Sequence, residues 1–328
     1  MVDSCLAAGV ALIAGFAVVE SRVTEPMFRL GLFRIRPFTS GVLSSFLSAV
    51  ARGGLMFMLI IWLQGIWLPE HGYSFSSTPL WAGIRMLPLT LGFLLAGPLS
   101  GILSDRYGAR PFATGGMIGA AISFALLEAL PIDFTYWVFA VILFFTGLTM
   151  ASFGSPNRTG VMNSLPPEHR GAGSGMNTTF QNSAQVVSIG IFFTLMIVGL
   201  ASALPHNVST GLAAHGVSPT VADRAAHLPP ISTLFAAFLG YDPVQHLIGA
   251  HAFAQLPTAQ QAALSARGFF PGLIAAPFQD GLHAAFDFAI FVSLLAAGAS
   301  WTRGGRYVHT PATEVEPVEL VLSKAGST

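Results

Sequence analysis

The sequence predicts an all-α polytopic membrane protein with about seven transmembrane helices. Of its 328 residues, 53% are hydrophobic and only 9% are charged, and the mean hydropathy is +0.66. Soluble proteins carry about 25% charged residues, so a chain this poor in charge needs lipid as part of its solvent. Seven stretches are apolar over roughly the 20 residues that a membrane helix requires. The basic residues between them also alternate in side from one stretch to the next.

The seven spans divide the chain into five regions. They are predicted at about 4–20, 38–67, 80–103, 112–130, 135–154, 173–203 and 281–300. Residues 1–37 hold an extra helix and a linker, 38–203 the next five helices, 204–280 an extracytoplasmic helical loop, 281–301 the last helix and 302–328 a tail expected to be disordered. The first span is not expected to be a signal peptide, because Asp3 precedes it and no Lys or Arg does.

The basic residues predict the orientation of these spans, because Lys and Arg in short loops stay in the cytoplasm. Eleven of the fifteen lie on one side: Arg22, Arg29, Arg34, Arg36, Arg106, Arg110, Arg158, Arg170, Arg303, Arg306 and Lys324. We therefore predict a protein of the cell membrane with its N-terminus outside and its C-terminus in the cytoplasm.

Charge and cysteine content narrow the function classes. The net charge is zero and no basic stripe occurs, so nothing indicates a nucleic-acid partner. The single Cys5 excludes an internal disulfide and a thiolate metal cluster. The histidines of the outer loop lack ligand spacing, and we expect neither a metal nor a cofactor.

The segment 204–280 is a long connection without a predicted span. Its two apolar pieces, ISTLFAAFL (231–239) and FFPGLIAAPF (269–278), are too short to cross a membrane and are expected to pack on each other or on the membrane surface. Ser218-Pro219 and Pro257-Thr258 are typical helix starts. One further crossing would place Arg303 outside, against the charge rule. We therefore predict a small helical cap outside the membrane.

A charged turn, GILSDRYGARP (101–111), interrupts two apolar helices on the predicted cytoplasmic side. Gly101 lets helices approach closely, and Gly108 supports a tight reversal. Asp105 can accept backbone N–H bonds or pair with Arg106 or Arg110. A cluster of charged residues at a helix junction suits a conformational latch. Its contacts would form in one packing of the helices and break in another. The alternative is an ordinary turn that only keeps its arginines in the cytoplasm.

Ionisable groups inside the spans are further candidates for function. Arg52 lies about 14 residues into the second span, roughly 21 Å along the helix axis. An arginine at such depth is a functional candidate by default, the alternative being one satisfied by its neighbours for folding only. His283 and Asp287 are four residues apart and share a face of the last span, where they could form a proton-sensitive pair.

An intramembrane serine protease is a different class that the sequence raises. Ser174 opens one predicted helix and His283 lies on a later one, as a Ser–His pair would need. That family requires a glycine two residues before the serine, and position 172 is alanine. We therefore expect that the protein is not an enzyme.

Several stretches resemble the major facilitator superfamily. The pattern Gly101-x-x-x-Asp105-Arg106-x-Gly108-x-Arg110 resembles its signature loop between the second and third helices of a six-helix half. The stretches ESRVTEPMFRLGLFRIRPF (20–38), WLQGIW (62–67), WAGIRMLPLTLGFLLAGPLSG (81–101) and SPNRTGVMNSLPPEHRGAGSGM (155–176) resemble the second half of the fourteen-helix drug:proton antiporter branch. The chain departs from that pattern because nothing in it matches the first half.

The resemblance implies one six-helix half plus one preceding helix, embedded in the lipid bilayer and completed by an N-terminal half. It implies efflux of lipophilic, often cationic, small molecules by alternating access, driven by the proton gradient. Arg52 and Gln64 are then the expected cavity residues, and Asp105 belongs to the latch. The resemblance places His283 and Asp287 on an outer helix, away from the cavity. Export of an endogenous lipid or metabolite, or a transport-inactive truncated half, are the alternatives.

Overall fold

The computed structural model describes residues 2–20, 22–23, 28–201, 204–228, 243–266 and 268–303. Within these residues every regular element is helical, which confirms the all-α prediction. Six stretches are long and apolar enough to cross a membrane: Arg36–Glu70, Phe75–Tyr107, Ala109–Glu128, Tyr136–Asn163, Pro167–Leu200 and Thr258–Trp301. A shorter apolar stretch, Ala7–Glu20, lies in the first helix. The described part of the chain thus has six full-length candidate spans and one shorter apolar helix.

The helices are numbered in chain order. They are α1 (Val2–Glu20), α2 (Arg36–Trp62), α3 (Leu68–Glu70), α4 (Thr78–Arg85), α5 (Leu87–Tyr107), α6 (Ala109–Glu128), α7 (Tyr136–Asn163), α8 (Arg170–Ala201), α9 (Leu204–Ala214), α10 (Pro219–Ala226), α11 (Pro243–Ile248), α12 (Ala250–Ala254), α13 (Thr258–Leu264) and α14 (Phe269–Trp301). A π-helical turn, Leu63–Trp67, joins α2 to α3 without a break. Short 3₁₀ helices at Leu30–Arg34, Phe75–Ser77 and Pro167–His169 precede α2, α4 and α8.

The long helices form two groups of three. In one group α5 and α6 both pack on α7, and in the other α8 and α14 both pack on α2. The groups meet where α6 packs on α14 and where α2 packs on α7. We call the end of the bundle at the α5–α6 turn the Asp105 end, and the opposite end the Trp67 end.

Two tryptophans pack at the Trp67 end of the bundle and bond to the connection between α6 and α7. Trp62 Nε1 donates to the carbonyl of Ile132 at 3.0 Å, and Trp67 Nε1 donates to the carbonyl of Phe134 at 2.8 Å. The ring of Phe134 stacks on that of Trp67 with their centroids 5.2 Å apart. Each indole is therefore buried with its N–H satisfied, as a buried tryptophan requires. These bonds fix the end of α2 to the connection between α6 and α7.

Two glycines let α5 and α7 approach backbone to backbone. A Cβ atom on Gly147 would collide with the carbonyl oxygen of Leu89 and lie 2.8 Å from the backbone nitrogen of Phe93. A Cβ atom on Gly92 would collide in the same way with the carbonyl oxygen of Phe144. Because these neighbours are backbone atoms, neither can move aside alone. Small residues at such positions are what allow membrane helices to pack closely.

The described residues of the segment 204–280 form short helices and the first turns of α14. α10 begins directly after Ser218 and α13 directly after Pro257. The apolar piece at 231–239 lies outside the described residues. The piece at 269–278 is not a separate cap element, because α14 begins at Phe269, before the predicted start at 281. Pro271 falls in the first turn, where a helix has no use for its N–H group.

Candidate functional site

A cavity of about 390 Å³ opens between α2, α5, α7 and α8. It lies between the middle of the bundle and the Asp105 end. Its polar wall includes Ser45, Ser48, Arg52, Asn157, Arg158 and Gln181, and its apolar wall includes Phe93, Met150 and Phe153. Small-molecule sites usually measure about 300–1,000 Å³ and combine an apolar wall with a few polar groups. The cavity therefore has the size and character of a small-molecule binding site.

Arg52, the residue that the sequence predicts for a substrate cavity, lies in the wall of this cavity, and its contact with a substrate stays a prediction. It follows the first residue of α2 by sixteen positions, or about 24 Å along the helix axis. Ser188 of α8 fixes the helix beside it, because its Oγ accepts a bond from the N–H of Gly54 at 2.8 Å and donates one to the carbonyl of Val50 at 2.5 Å. This double contact sets the rotation of α2. The Arg52 side chain is consequently held in the wall of the cavity, where it is exposed.

A second arginine, Arg158, lines the same cavity. The sequence places it in a loop, because the fifth span is predicted to end at 154. In the structure α7 continues to Asn163 with Pro156 inside it, so Arg158 lies on a helix wall. The sequence gives no signal for the longer helix, because Ser155, Pro156, Asn157 and Gly160 are all typical turn residues.

Asn157 ties the two arginine-bearing helices together. Its Nδ2 donates to Ser45 Oγ at 2.6 Å and to the carbonyl of Gly41 at 3.2 Å, both on α2. The side chain is buried, and its Oδ1 has no hydrogen-bond partner among the described residues. Since a buried amide bonded this way costs free energy to displace, α2 and α7 are held in one register at the cavity.

Gln64 is not brought together with Arg52. It lies twelve residues further along the helix, about 18 Å toward the Trp67 end. Its side chain is only 4% exposed, and its Oε1 has no partner among the described residues. At about 100° per residue, twelve residues also turn the side chain about 120° away from the Arg52 face. Gln64 is therefore part of the buried interior and is not in the wall of this cavity.

The turn between α5 and α6 depends on Gly108. Its φ of +91° is a conformation that side chains rarely adopt, and its N–H donates to the carbonyl of Ser104 at 2.8 Å. Gly101 lies against α7, where a Cβ atom would be 3.2 Å from Ser155 Oγ. Both glycines thus serve the close packing and the reversal that the sequence predicts.

The charged residues of this turn have unequal surroundings. The guanidinium of Arg110 lies 3.9 Å from the ring centroid of Trp301 at the end of α14, and that of Arg106 lies 5.9 Å from the ring of Tyr107. Asp105 is exposed and makes no ion pair or hydrogen bond with any described residue. In this conformation the turn is therefore held by Gly108 and Arg110, and Asp105 is free to meet another group. Its role in a latch stays a prediction.

Arg303, a buried arginine, lies at the Asp105 end of the bundle. A Cβ atom on Gly160 would come within 2.5 Å of its Nη1, and one on Gly41 within 2.9 Å of its Nη2. None of its three guanidinium nitrogens has a hydrogen-bond partner among the described residues. Burial lowers the pKa of Arg303 to about 10, so the group stays charged at neutral pH. The sequence shows Arg303 only as a topology signal, because its glycine neighbours lie on distant helices.

His283 and Asp287 lie on one face of α14, outside the cavity wall. They are not within ion-pair distance of each other among the described contacts. Glu128, the last residue of α6, is close enough to interact electrostatically with both. The spacing along the chain does not connect Glu128 to this pair. A role of the pair in proton coupling remains a prediction.

The geometry does not support a serine protease. α8 and α14 cross at Gly199 and Gly281, where their backbones touch. His283 is next to this crossing, whereas Ser174 lies 25 residues away on α8, or about 37 Å along its axis. A Ser–His dyad needs hydrogen-bond distance. In the described part of the chain no group of three or more His, Cys, Asp or Glu could hold a metal ion.

Comparisons with known proteins place these features in a family. The family model described as Major Facilitator Superfamily matches residues 5–189, more than half of the chain. The chain is 28% identical over 200 residues to the tetracenomycin C resistance and export protein of Streptomyces glaucescens, covering 61% of this chain and 36% of that protein.

Two further relatives show the same pattern of coverage. The chain is 27% identical over 196 residues to the methyl viologen resistance protein SmvA of Salmonella typhimurium, covering 60% of this chain and 38% of the relative. It is 26% identical over 176 residues to the riboflavin transporter RibZ of Clostridioides difficile, covering 54% and 37%. The alignments thus span well under half the length of each relative.

Proposed function

Because the chain belongs to the major facilitator superfamily, we propose that it works as the C-terminal half of a transporter of the fourteen-helix drug:proton antiporter branch. In such proteins two halves enclose a substrate site near the middle of the membrane. The chain supplies one wall of that site through the cavity that holds Arg52 and Arg158. A first half supplies the other wall.

The observation that carries this proposal is the polar face of α8. Its exposed residues include Thr178, Thr179, Asn182, Ser183 and Gln185. Such a face is unfavourable against hydrocarbon, where polar side chains find no partner. It suits a protein interface or a water-filled cavity between two halves.

The burial of the spans supports the same arrangement. Only 17% of the most apolar stretch of Phe75–Tyr107 and 28% of that of Pro167–Leu200 is buried, against 44–56% for the other four spans. These two spans contain α5 and α8, which both contribute residues to the wall of the cavity. A first half placed over α5 and α8 would cover the least buried helices and enclose the cavity at once.

The mechanism that follows is alternating access. The two halves rock about the site, and the proton gradient drives export of small lipophilic molecules. The protein lies in the cell membrane with its N-terminus outside and its C-terminus in the cytoplasm. Export of an endogenous metabolite is a second candidate, since one relative is named as a riboflavin transporter.

The test is transport by the reconstituted protein. We expect liposomes that hold this chain alone to show no proton-driven dye uptake, because one half cannot enclose the site. Liposomes that hold the chain with its first half, on one polypeptide or two, are expected to transport. Proton-driven uptake by the chain alone, shown by cross-linking to be monomeric, would overturn the two-half proposal. Failure of the joined halves would favour a transport-inactive half.

The orientation predicts which positions an impermeant thiol reagent reaches. With Cys5 replaced by serine, cysteines at Ser209 and Thr258 should label in intact cells, whereas cysteines at Ser164 and Thr310 should not. The reason is that the basic residues keep the latter two in the cytoplasm. Labelling at Thr310 from outside would require a further crossing and contradict the predicted orientation.

A further inference from the structure

Among the described residues, the wall of the cavity between α2, α5, α7 and α8 carries two guanidinium groups and no acidic group. α2 contributes Arg52 and α7 contributes Arg158, both exposed. The other two helices contribute no ionisable residue to the wall, only Phe93 and Gly97 from α5 and Gln181 from α8. Two positive charges without a counter-charge repel each other, and Arg52 is in addition costly at its depth in the membrane. The charge of the wall therefore favours an anionic occupant.

The remaining wall suits an anion with an apolar body. The hydroxyls of Ser45 and Ser48 and the amide of Gln181 can donate hydrogen bonds beside the arginines. A carboxylate or sulfonate accepts several such bonds at once, and a guanidinium binds it in a bidentate manner. Phe93 and Met150 provide the apolar side of the same cavity, and both side chains pack well against aromatic rings.

We propose that this cavity binds small amphipathic organic anions, with a carboxylate or sulfonate on Arg52 and Arg158 and the hydrocarbon body against Phe93 and Met150. The proposal rests on the proposed function, because it assigns a substrate class to the same site. It differs from the cationic substrates that the family resemblance implies, since a cation would find two like charges and no carboxylate on this wall. The competing occupant is a carboxylate of the first half.

The experiment compares two probes of similar shape and opposite charge. Radiolabelled 2-naphthalenesulfonate and (2-naphthyl)trimethylammonium are equilibrated by dialysis with the chain in phosphatidylcholine nanodiscs, and empty nanodiscs are subtracted. We expect saturable binding of the sulfonate, near one per chain, and at least tenfold weaker binding of the cation. Arg52→Gln and Arg158→Gln should each weaken sulfonate binding at least tenfold.

Control variants distinguish the effect of a positive charge in the cavity from the effect of the protein's overall charge on sulfonate binding. Arg224→Gln removes an exposed arginine on α10, outside the bundle, and should leave sulfonate binding unchanged. Arg52→Lys keeps the charge but loses the bidentate fork, and should bind the sulfonate better than Arg52→Gln does. An unchanged elution profile in size-exclusion chromatography shows that each variant is folded.

Four outcomes would overturn the proposal, three of them with the chain alone. Those three are tighter binding of the cation, no saturable binding of the sulfonate, and equal losses in Arg224→Gln and Arg52→Gln. A fourth is a sulfonate site in the chain alone that disappears when the first half is joined, which would assign the arginines to carboxylates of that half. If the joined halves export a cationic dye while the sulfonate does not bind, the proposed function stands and the anion assignment fails.

Discussion

Gly147→Ala should strongly destabilise the bundle, although it adds only one methyl group. The added Cβ atom collides with the carbonyl oxygen of Leu89 and presses on the backbone nitrogen of Phe93, so α5 and α7 must separate. Overpacking of this kind typically costs about 1–3 kcal/mol, and the high end is expected because the obstacle is backbone on both sides. The measurement is the midpoint of unfolding in detergent, followed by tryptophan fluorescence.

The matched control is Gly154→Ala in the same helix. A Cβ atom there meets nothing within 4 Å, and alanine favours a helix over glycine by up to about 1 kcal/mol. Gly154→Ala should therefore leave the midpoint unchanged or raise it slightly. Gly92→Ala, which attacks the same contact from α5, should lower the midpoint as Gly147→Ala does. Equal midpoints for Gly147→Ala and Gly154→Ala would mean that α5 and α7 are further apart than the structure places them.

The helices of this fold are largely readable from the sequence because apolar runs are bounded by charged and turn-forming residues. The errors cluster at prolines. Pro156 and Pro277 lie inside long helices and Pro271 lies in the first turn of α14, whereas the sequence suggests that helices end or break near them. A proline removes one backbone N–H group, but in a packed membrane helix neighbouring groups satisfy the freed carbonyl. Local propensity thus underestimates how far α7 and α14 extend.

From the sequence, a cavity residue is predictable only where its own type and depth in a span mark it out. Arg52 stands out because an arginine deep in a span is expensive wherever the helix packs. Arg158 becomes a cavity residue only once α7 is known to face α2, and the enclosure of Arg303 by Gly41 and Gly160 depends on the same contact. The family resemblance points to Gln64 as a cavity residue, although its helical position lies on another face. Neighbour relations between helices are long-range information that spacing does not contain.

Asp105→Asn, in the chain joined to its first half, should slow transport about tenfold and leave substrate binding nearly unchanged. Asp105 is exposed at the end of α5 without a partner among the described residues, so its charge contributes little to the stability of this half. Exposed ion pairs contribute only about 0–1 kcal/mol to stability in any case. During alternating access, however, groups at this end must pair in one state and separate in the next.

A carboxylate that pairs in only one state biases the equilibrium, and its amide does so less well. A shift of about 1.4 kcal/mol changes the ratio of the two states about tenfold, which sets the expected loss of rate.

The measurements are equilibrium binding and initial transport rate of one dye on one preparation. Glu168→Gln is the control, because it removes an exposed carboxylate at the same end of the bundle but outside the turn, and it should change neither quantity. Loss of binding in Asp105→Asn would assign Asp105 to the substrate site or the fold. Unchanged transport would leave the turn without a role as a latch, because the pairing that distinguishes the two states would then not involve its only carboxylate.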